Sequence, residues 1–161
     1  MEPAPPPSAP RPAEPRQPDL CNCLAIRKAA RHVTGFYDAR LAPSGLTTPQ
    51  FSILARLRHR GPSHLNALAA DLVMDRTTLG RNLRPLERDG LLAIAEDPRD
   101  RRRQALTLTA AGEARLAFAR PLWRAAQDEF DARFGAARSI ALRTTLASLV
   151  ATDLNGPPPA A

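Results

Sequence analysis

A chain of 161 residues, 43% of them hydrophobic, fits one domain and is long enough to bury a real core. Its formal charge is +7, and Lys28 is the one lysine beside many arginines, a balance that favours a polyanionic partner, nucleic acid before acidic lipid. No apolar run is long enough to cross a bilayer, the proline-rich start is not an apolar signal sequence, and two neighbouring cysteines make no secreted disulfide framework, so the composition predicts a cytoplasmic protein without a membrane partner.

Residues 1–19 are mostly Pro, Ala, Arg and Glu and cannot bury enough apolar surface to fold; they read as a disordered tail, with residues 154–161 as its counterpart. From Leu20 to about Leu41, Ile26, Ala30, Val33, Tyr37 and Leu41 recur at helical steps. Pro43-Ser44-Gly45 breaks the pattern. Thr47-Thr48-Pro49-Gln50 then signals a helix start, with Thr48 as N-cap and Pro49 in first position, carrying Phe51, Leu54 and Leu57 to about Arg60. Ser63 is placed to cap a short helix holding Leu65, Leu68, Ala69 and Leu72.

The link Val73-Met74-Asp75, which has no glycine, leads into the stretch around which the chain is organised. Asp75 is an N-cap and Gly90 a C-terminal stop. Between them Leu79, Leu83 and Leu86 form an apolar stripe, while Arg76, Thr77, Thr78, Arg81, Asn82, Arg84 and Arg88 lie off it. Two helices joined by a tight turn, the second one basic, are a helix-turn-helix pair. Hydroxyls near the start of the second helix and arginines a turn later suit contacts to base edges and phosphates in a major groove. Pro85 predicts a bend in this helix. Gly80 lowers its stability and serves either close approach to DNA or packing.

The periodicity then shortens. Leu91–Ile94 and Ala105–Leu108 read as strands flanking Glu96–Arg103, a turn with an arginine cluster: Arg99, Arg101 and Arg102 make a basic hairpin tip, or wing, able to reach a minor groove. Thr109 caps a long helix to about Phe134 with Leu116, Phe118, Leu122, Trp123 and Phe130. Gly135 ends it, and a last helix carries Ile140, Leu142, Leu146, Leu149 and Val150. The fold class is mainly α with a small β-hairpin wing: a winged helix-turn-helix over residues 20–153, with long dimerisation helices at about 20–42 and 109–153 flanking a DNA-binding lobe at about 48–108. A homodimer would present two reading helices to a pseudo-palindromic operator on double-stranded DNA.

From Leu20 to Val150 the chain resembles the MarR family of winged helix-turn-helix transcription regulators. The likeness is carried by Asp97-Pro98-Arg99-Asp100-Arg101-Arg102, by Leu106-Thr107-Leu108-Thr109-Ala110-Ala111-Gly112 and by Leu86-Glu87-Arg88-Asp89-Gly90-Leu91. The resemblance implies an obligate homodimer built on the first and last two helices, with Thr77, Thr78 and Arg81 near bases and Arg99 near the minor groove. It implies an Arg102–Asp100 pair near phosphate, and repression relieved by a small molecule or by oxidation. Small aromatic or carboxylate effectors are the family's commonest signal; Arg27, Arg31 and Arg40 are candidate anion partners, with Phe36, Phe51 and Trp123 as apolar walls.

Cys21 and Cys23 stand at the start of the first helix. Three readings of them remain open: small buried hydrophobes, a redox pair or a metal site. The family's organic-peroxide sensors carry a reactive cysteine in a similar place and bind it with tyrosines, which singles out Cys21 and the one tyrosine, Tyr37. Two thiolates are too few for a closed zinc site, and the spacing of His32, His59 and His64 points to none. No catalytic constellation or cofactor motif stands out. The rival to a sequence-specific regulator is a non-specific basic architectural protein that binds nucleic acid by charge alone.

Overall fold

The structure, a computed structural model, describes residues 20–97, 100–154 and 156, and for 100–103 the backbone alone. Most of the two stretches read as disordered tails lies outside the described residues. The chain divides into two compact units, Met1–Gly35 and Phe36–Ala161. The described part of the first is the leading stretch of helix α1 (Asn22–Leu41), whose residues are exposed as far as His32. Of the periodic set expected there, Ile26 is 42% exposed.

In the second unit the last turns of α1 bury Tyr37 and Leu41. A short 3-10 turn (Ala42–Ser44) leads to α2 (Thr48–Arg60). The N-cap of α2 is Thr47, one residue before the expected Thr48. The reason is Asp38 on α1: its Oδ1 accepts from both the backbone N–H and the hydroxyl of Thr48, each at 2.6 Å. Thr47 is left to cap, and its own N–H donates to Gln50 Oε1 at 2.9 Å.

Ser63 does not cap the next helix. With His64 it forms strand β1 (Ser63–His64), pairing antiparallel with Leu106 and Ala105, and His64 takes the cap position of α3 (Leu65–Asp71). Helix α4 (Arg76–Arg88) follows, then β2 (Leu92–Asp97) and β3 (Asp100–Leu108), in a three-stranded sheet of order β1-β3-β2. Both hairpin strands run further toward the tip than their apolar cores predicted, because the ladder continues through Ala95↔Ala105 and Glu96↔Gln104 before an irregularity at Glu96/Asp97. Helices α5 (Ala110–Phe134) and α6 (Ala136–Ala151) complete the chain, separated by Gly135.

One core joins these elements. Leu54 and Leu57 of α2, Leu68 of α3, Leu79, Leu83 and Leu86 of α4, Leu92 and Leu106 of the sheet and Leu116 of α5 are all buried in it. Arg115 adds a polar tie, its Nη1 donating to the Ser44 carbonyl at 2.8 Å. Outside the core, large apolar side chains remain in water: Phe118 and Trp123 on α5, Ile140, Leu146 and Val150 on α6.

Candidate nucleic-acid interface

The tight turn between α3 and α4 is made without glycine. Val73 takes φ 51°, the one positive value outside glycine among the described residues, and its side chain is 70% exposed. A β-branched residue is strained in that region. The turn delivers Asp75 to the start of α4, where Oδ1 accepts from Thr78 N–H at 2.8 Å and Oδ2 from the Thr78 hydroxyl at 2.6 Å. These bonds, the hydroxyl's first, hold the Asp75 carboxyl below its ordinary value.

The leucine stripe, fully buried, fixes the rotation of α4 about its axis. Arg76, Thr77, Arg81 and Arg84 are consequently exposed, and Thr78 and Asn82 are half-buried. Thr78 is engaged by the cap, and Asn82 Nδ2 donates back to the Thr78 carbonyl at 2.9 Å. Among the described residues no ion pair holds Arg76, Arg81 or Arg84, whereas Arg88 Nε pairs with Asp89 Oδ1 at 2.8 Å. A row of unpaired guanidiniums on a rigid helix is chemically suited to phosphates and guanine edges. A Cβ at Gly80 would meet nothing within 4 Å, so packing does not require that glycine. The helix stays continuous through Pro85 to Arg88.

Beyond Asp89 the chain stops in a paired arrangement: Gly90, at φ 67°, donates to the Glu87 carbonyl, and Leu91 donates to Leu86. Thr109 then binds the end of α4 to the start of α5. Its hydroxyl donates to the Gly90 carbonyl at 2.6 Å and accepts from Gly112 N–H at 3.0 Å. The hairpin leaves from this junction as a wing. Arg99 lies outside the described residues, as do the side chains of Arg101 and Arg102 and the expected Arg102–Asp100 pair. The root of the wing is described, and it holds a residue that spacing did not single out: His64, in contact with both Gln104 and Asp97.

Of the residues considered for signal reception, Cys21 and Cys23 are exposed free thiols, so burial as small hydrophobes does not describe them. Cys21 Sγ accepts from Leu24 N–H at 3.4 Å. The Tyr37 hydroxyl donates to Gln127 Oε1 at 2.9 Å, and burial raises its pKa. Arg40 is not open to an anion: Nε and Nη2 each reach a Glu129 carboxylate oxygen at 2.6 Å, and its guanidinium lies 3.5 Å over the Phe36 ring. Phe51 and Trp123 stack at 5.7 Å. Among the described residues no group of three His, Cys, Asp or Glu is placed to hold a metal ion, and no helix is long and apolar enough to cross a membrane.

Known proteins share this arrangement. Residues 46–103 match the model of the MarR family. The structure of the M. tuberculosis transcriptional regulator MosR in complex with DNA is 41% identical, with 80% of this chain and 97% of MosR covered and a TM-score of 0.67. The transcriptional repressor CouR, bound to a 23-mer DNA duplex, is 29% identical over 85% of this chain and 99% of its own, at a TM-score of 0.74. A CouR structure with p-coumaroyl-CoA aligns at 28% identity, covering 80% of this chain and 91% of CouR, with a TM-score of 0.71. The HTH-type transcriptional repressor NicR of Pseudomonas putida is 28% identical over 130 residues, 81% of this chain and 82% of NicR.

Proposed function

The chain belongs to the MarR family and is a sequence-specific DNA-binding transcription regulator, and we propose that it is a repressor acting as a homodimer on a pseudo-palindromic operator. The observation that carries this reading is the exposed face of α4, where Arg76, Arg81 and Arg84 have no ion pair among the described residues and stand on the element that precedes a hairpin wing. In this reading Thr77 and Arg81 meet base edges, Thr78 and Asn82 hold the helix start in shape, and Arg76 and Arg84 meet phosphate. Arg99, Arg101 and Arg102 contact the backbone and minor groove at the wing. The protein acts in the cytoplasm as a regulator, not an enzyme.

Dimerisation accounts for the apolar side chains left in water on α5 and α6, Phe118, Trp123, Ile140, Leu146 and Val150 among them, which a single chain does not bury. Release from DNA follows from binding a small aromatic or carboxylate effector, as the p-coumaroyl-CoA complex of CouR suggests, or from oxidation of the exposed Cys21 thiol.

The test is competition binding of the purified chain to its own upstream DNA and to a scrambled duplex, over a range of salt. A regulator keeps its preference for one site as salt rises. A charge-driven architectural protein binds both alike and loses both together, and that result would overturn this reading.

A further inference from the structure

Three residue choices around the end of α3 oppose the local structure they stand in. Asp71 puts a negative charge on the last residue of α3, the end at which the helix dipole is itself negative. Arg56 and Arg60 put two like charges one turn apart on α2. Val73 holds a left-handed conformation, at φ 51°, that strains a β-branched residue. The turn around it is a paired helix ending: Val73 N–H donates to the Ala70 carbonyl at 3.2 Å and Met74 N–H to the Ala69 carbonyl at 2.9 Å. Glycine is the usual residue in the place of Val73.

One set of contacts answers the first two conflicts. Arg60 Nη2 lies 2.7 Å from Asp71 Oδ1, and Arg56 Nε lies 3.4 Å from Asp71 Oδ2. The carboxylate thus stands between the two guanidiniums, and each charge offsets what the other would cost alone. The Asp71 side chain is only 13% exposed, and its Oδ2 is buried without a hydrogen bond. A carboxylate so placed depends on nearby positive charge. Among the described residues no other ion pair joins α2 to α3.

The position of Asp71 addresses the third conflict. It stands two residues before Val73, so the arginines of α2 grip the chain at the base of the strained turn. Freed from that grip, a valine would relax toward negative φ. Helix α4 starts at Arg76, so such a change would alter its direction. We propose that Asp71 is a positioning residue for operator reading: clamped by Arg56 and Arg60, it holds Val73 in the left-handed turn that aims α4. The inference rests on the reading of α4 as the helix that meets DNA bases.

The experiment is a double-mutant cycle in the full chain. Asp71→Asn, and separately Arg60→Gln at an exposed position, are made alone and beside Val73→Asn, which accepts the left-handed turn. Thermal unfolding establishes that each variant is folded. Affinities for upstream and scrambled DNA are measured at one salt concentration, and backbone carbon shifts of residue 73 by NMR without DNA. With valine in place, Asp71→Asn should lower affinity for upstream DNA by about three- to tenfold, the range for two partly exposed ion pairs. The scrambled duplex should lose less, Arg60→Gln should act in the same direction, and residue 73 should leave its left-handed shifts. Beside Val73→Asn, the same changes should cost less than about twofold, because an unstrained turn needs no clamp. Equal losses in both backgrounds, or left-handed shifts retained without the carboxylate, would overturn the proposal. Should the shifts move as expected while the wild type binds upstream and scrambled DNA alike, the clamp on the turn stands and the reading of α4 fails.

Discussion

The carbonyl oxygen of Leu91 occupies the place that a side chain at Gly112 would need: a Cβ there would come within 1.9 Å of it. That same carbonyl accepts from Thr109 N–H at 3.2 Å, so it cannot move without opening the joint between α4, the wing and α5. Gly112→Ala is expected to lower stability by about 1–3 kcal/mol, the usual cost of overpacking against backbone. Gly80→Ala is the control: its Cβ meets nothing within 4 Å, and stability should rise by about 1 kcal/mol as a helix glycine is removed. Urea unfolding of both variants checks the pair, and equal effects would contradict the packing described.

Val73 should be replaceable to advantage. It holds φ 51° with most of its side chain in water, so its conformation is strained and little packing compensates. Val73→Asn, which tolerates the left-handed region, is expected to add about 1 kcal/mol to the unfolding free energy. A loss of stability on thermal unfolding would mean that the valine side chain contributes contacts the geometry does not reveal.

The Arg40–Glu129 pair predicts a definite acid limb. Hydrogen bonds from Arg40, and then from Arg133, bring the Glu129 carboxyl from an ordinary 4.5 to about 2. The folded value is the lower one, so the contribution to stability is full above about 4.5 and is lost as pH falls toward 2. Glu129→Gln should therefore lower Tm at neutral pH and converge with the wild type in acid. Parallel curves across the whole range would contradict the pairing. Because both partners are partly exposed, added salt should shrink the difference at neutral pH.

Cys21 supplies a redox prediction. Its sulfur is exposed and accepts from Leu24 N–H, so an oxidant can reach it. If oxidation is the signal, peroxide releases the DNA, thiol reductant restores it, and Cys21→Ser stays bound throughout. Binding indifferent to peroxide would move the search to small effectors.

Much of the architecture was legible because the signals are local. Asp75, Gly90 and Gly135 do their work within a few residues of themselves, as does Thr109 in capping α5 at Gly112, and Leu79, Leu83 and Leu86 mark the buried face of α4 by spacing alone. What stayed hidden depends on distant partners or on very short elements. A two-residue strand has no period, so spacing does not reveal β1 and marks Ser63 as a helix cap instead. Thr48 is engaged by Asp38, ten positions away, and the cap falls to Thr47. Local sequence leaves Arg40 open to an anion because its partner, Glu129, stands 89 residues further on. His64 had no signal of its own, since Gln104 is 40 residues distant. A valine in a left-handed turn contradicts local preference and could not be anticipated. On the reading face, spacing placed Thr77 and Arg81 outward, but not the engagement of Thr78 by Asp75.

If α4 reads bases, Arg81 is the residue whose loss shows it most directly. The measurement is the ratio of affinities for the upstream operator and a scrambled duplex, for the wild type and Arg81→Ala, at one fixed salt concentration. The prediction is that the variant loses about 1–3 kcal/mol of discrimination while its affinity for the scrambled duplex falls much less. An unchanged ratio, with both affinities lowered equally, would make Arg81 a phosphate contact and contradict the placement of α4 in the groove.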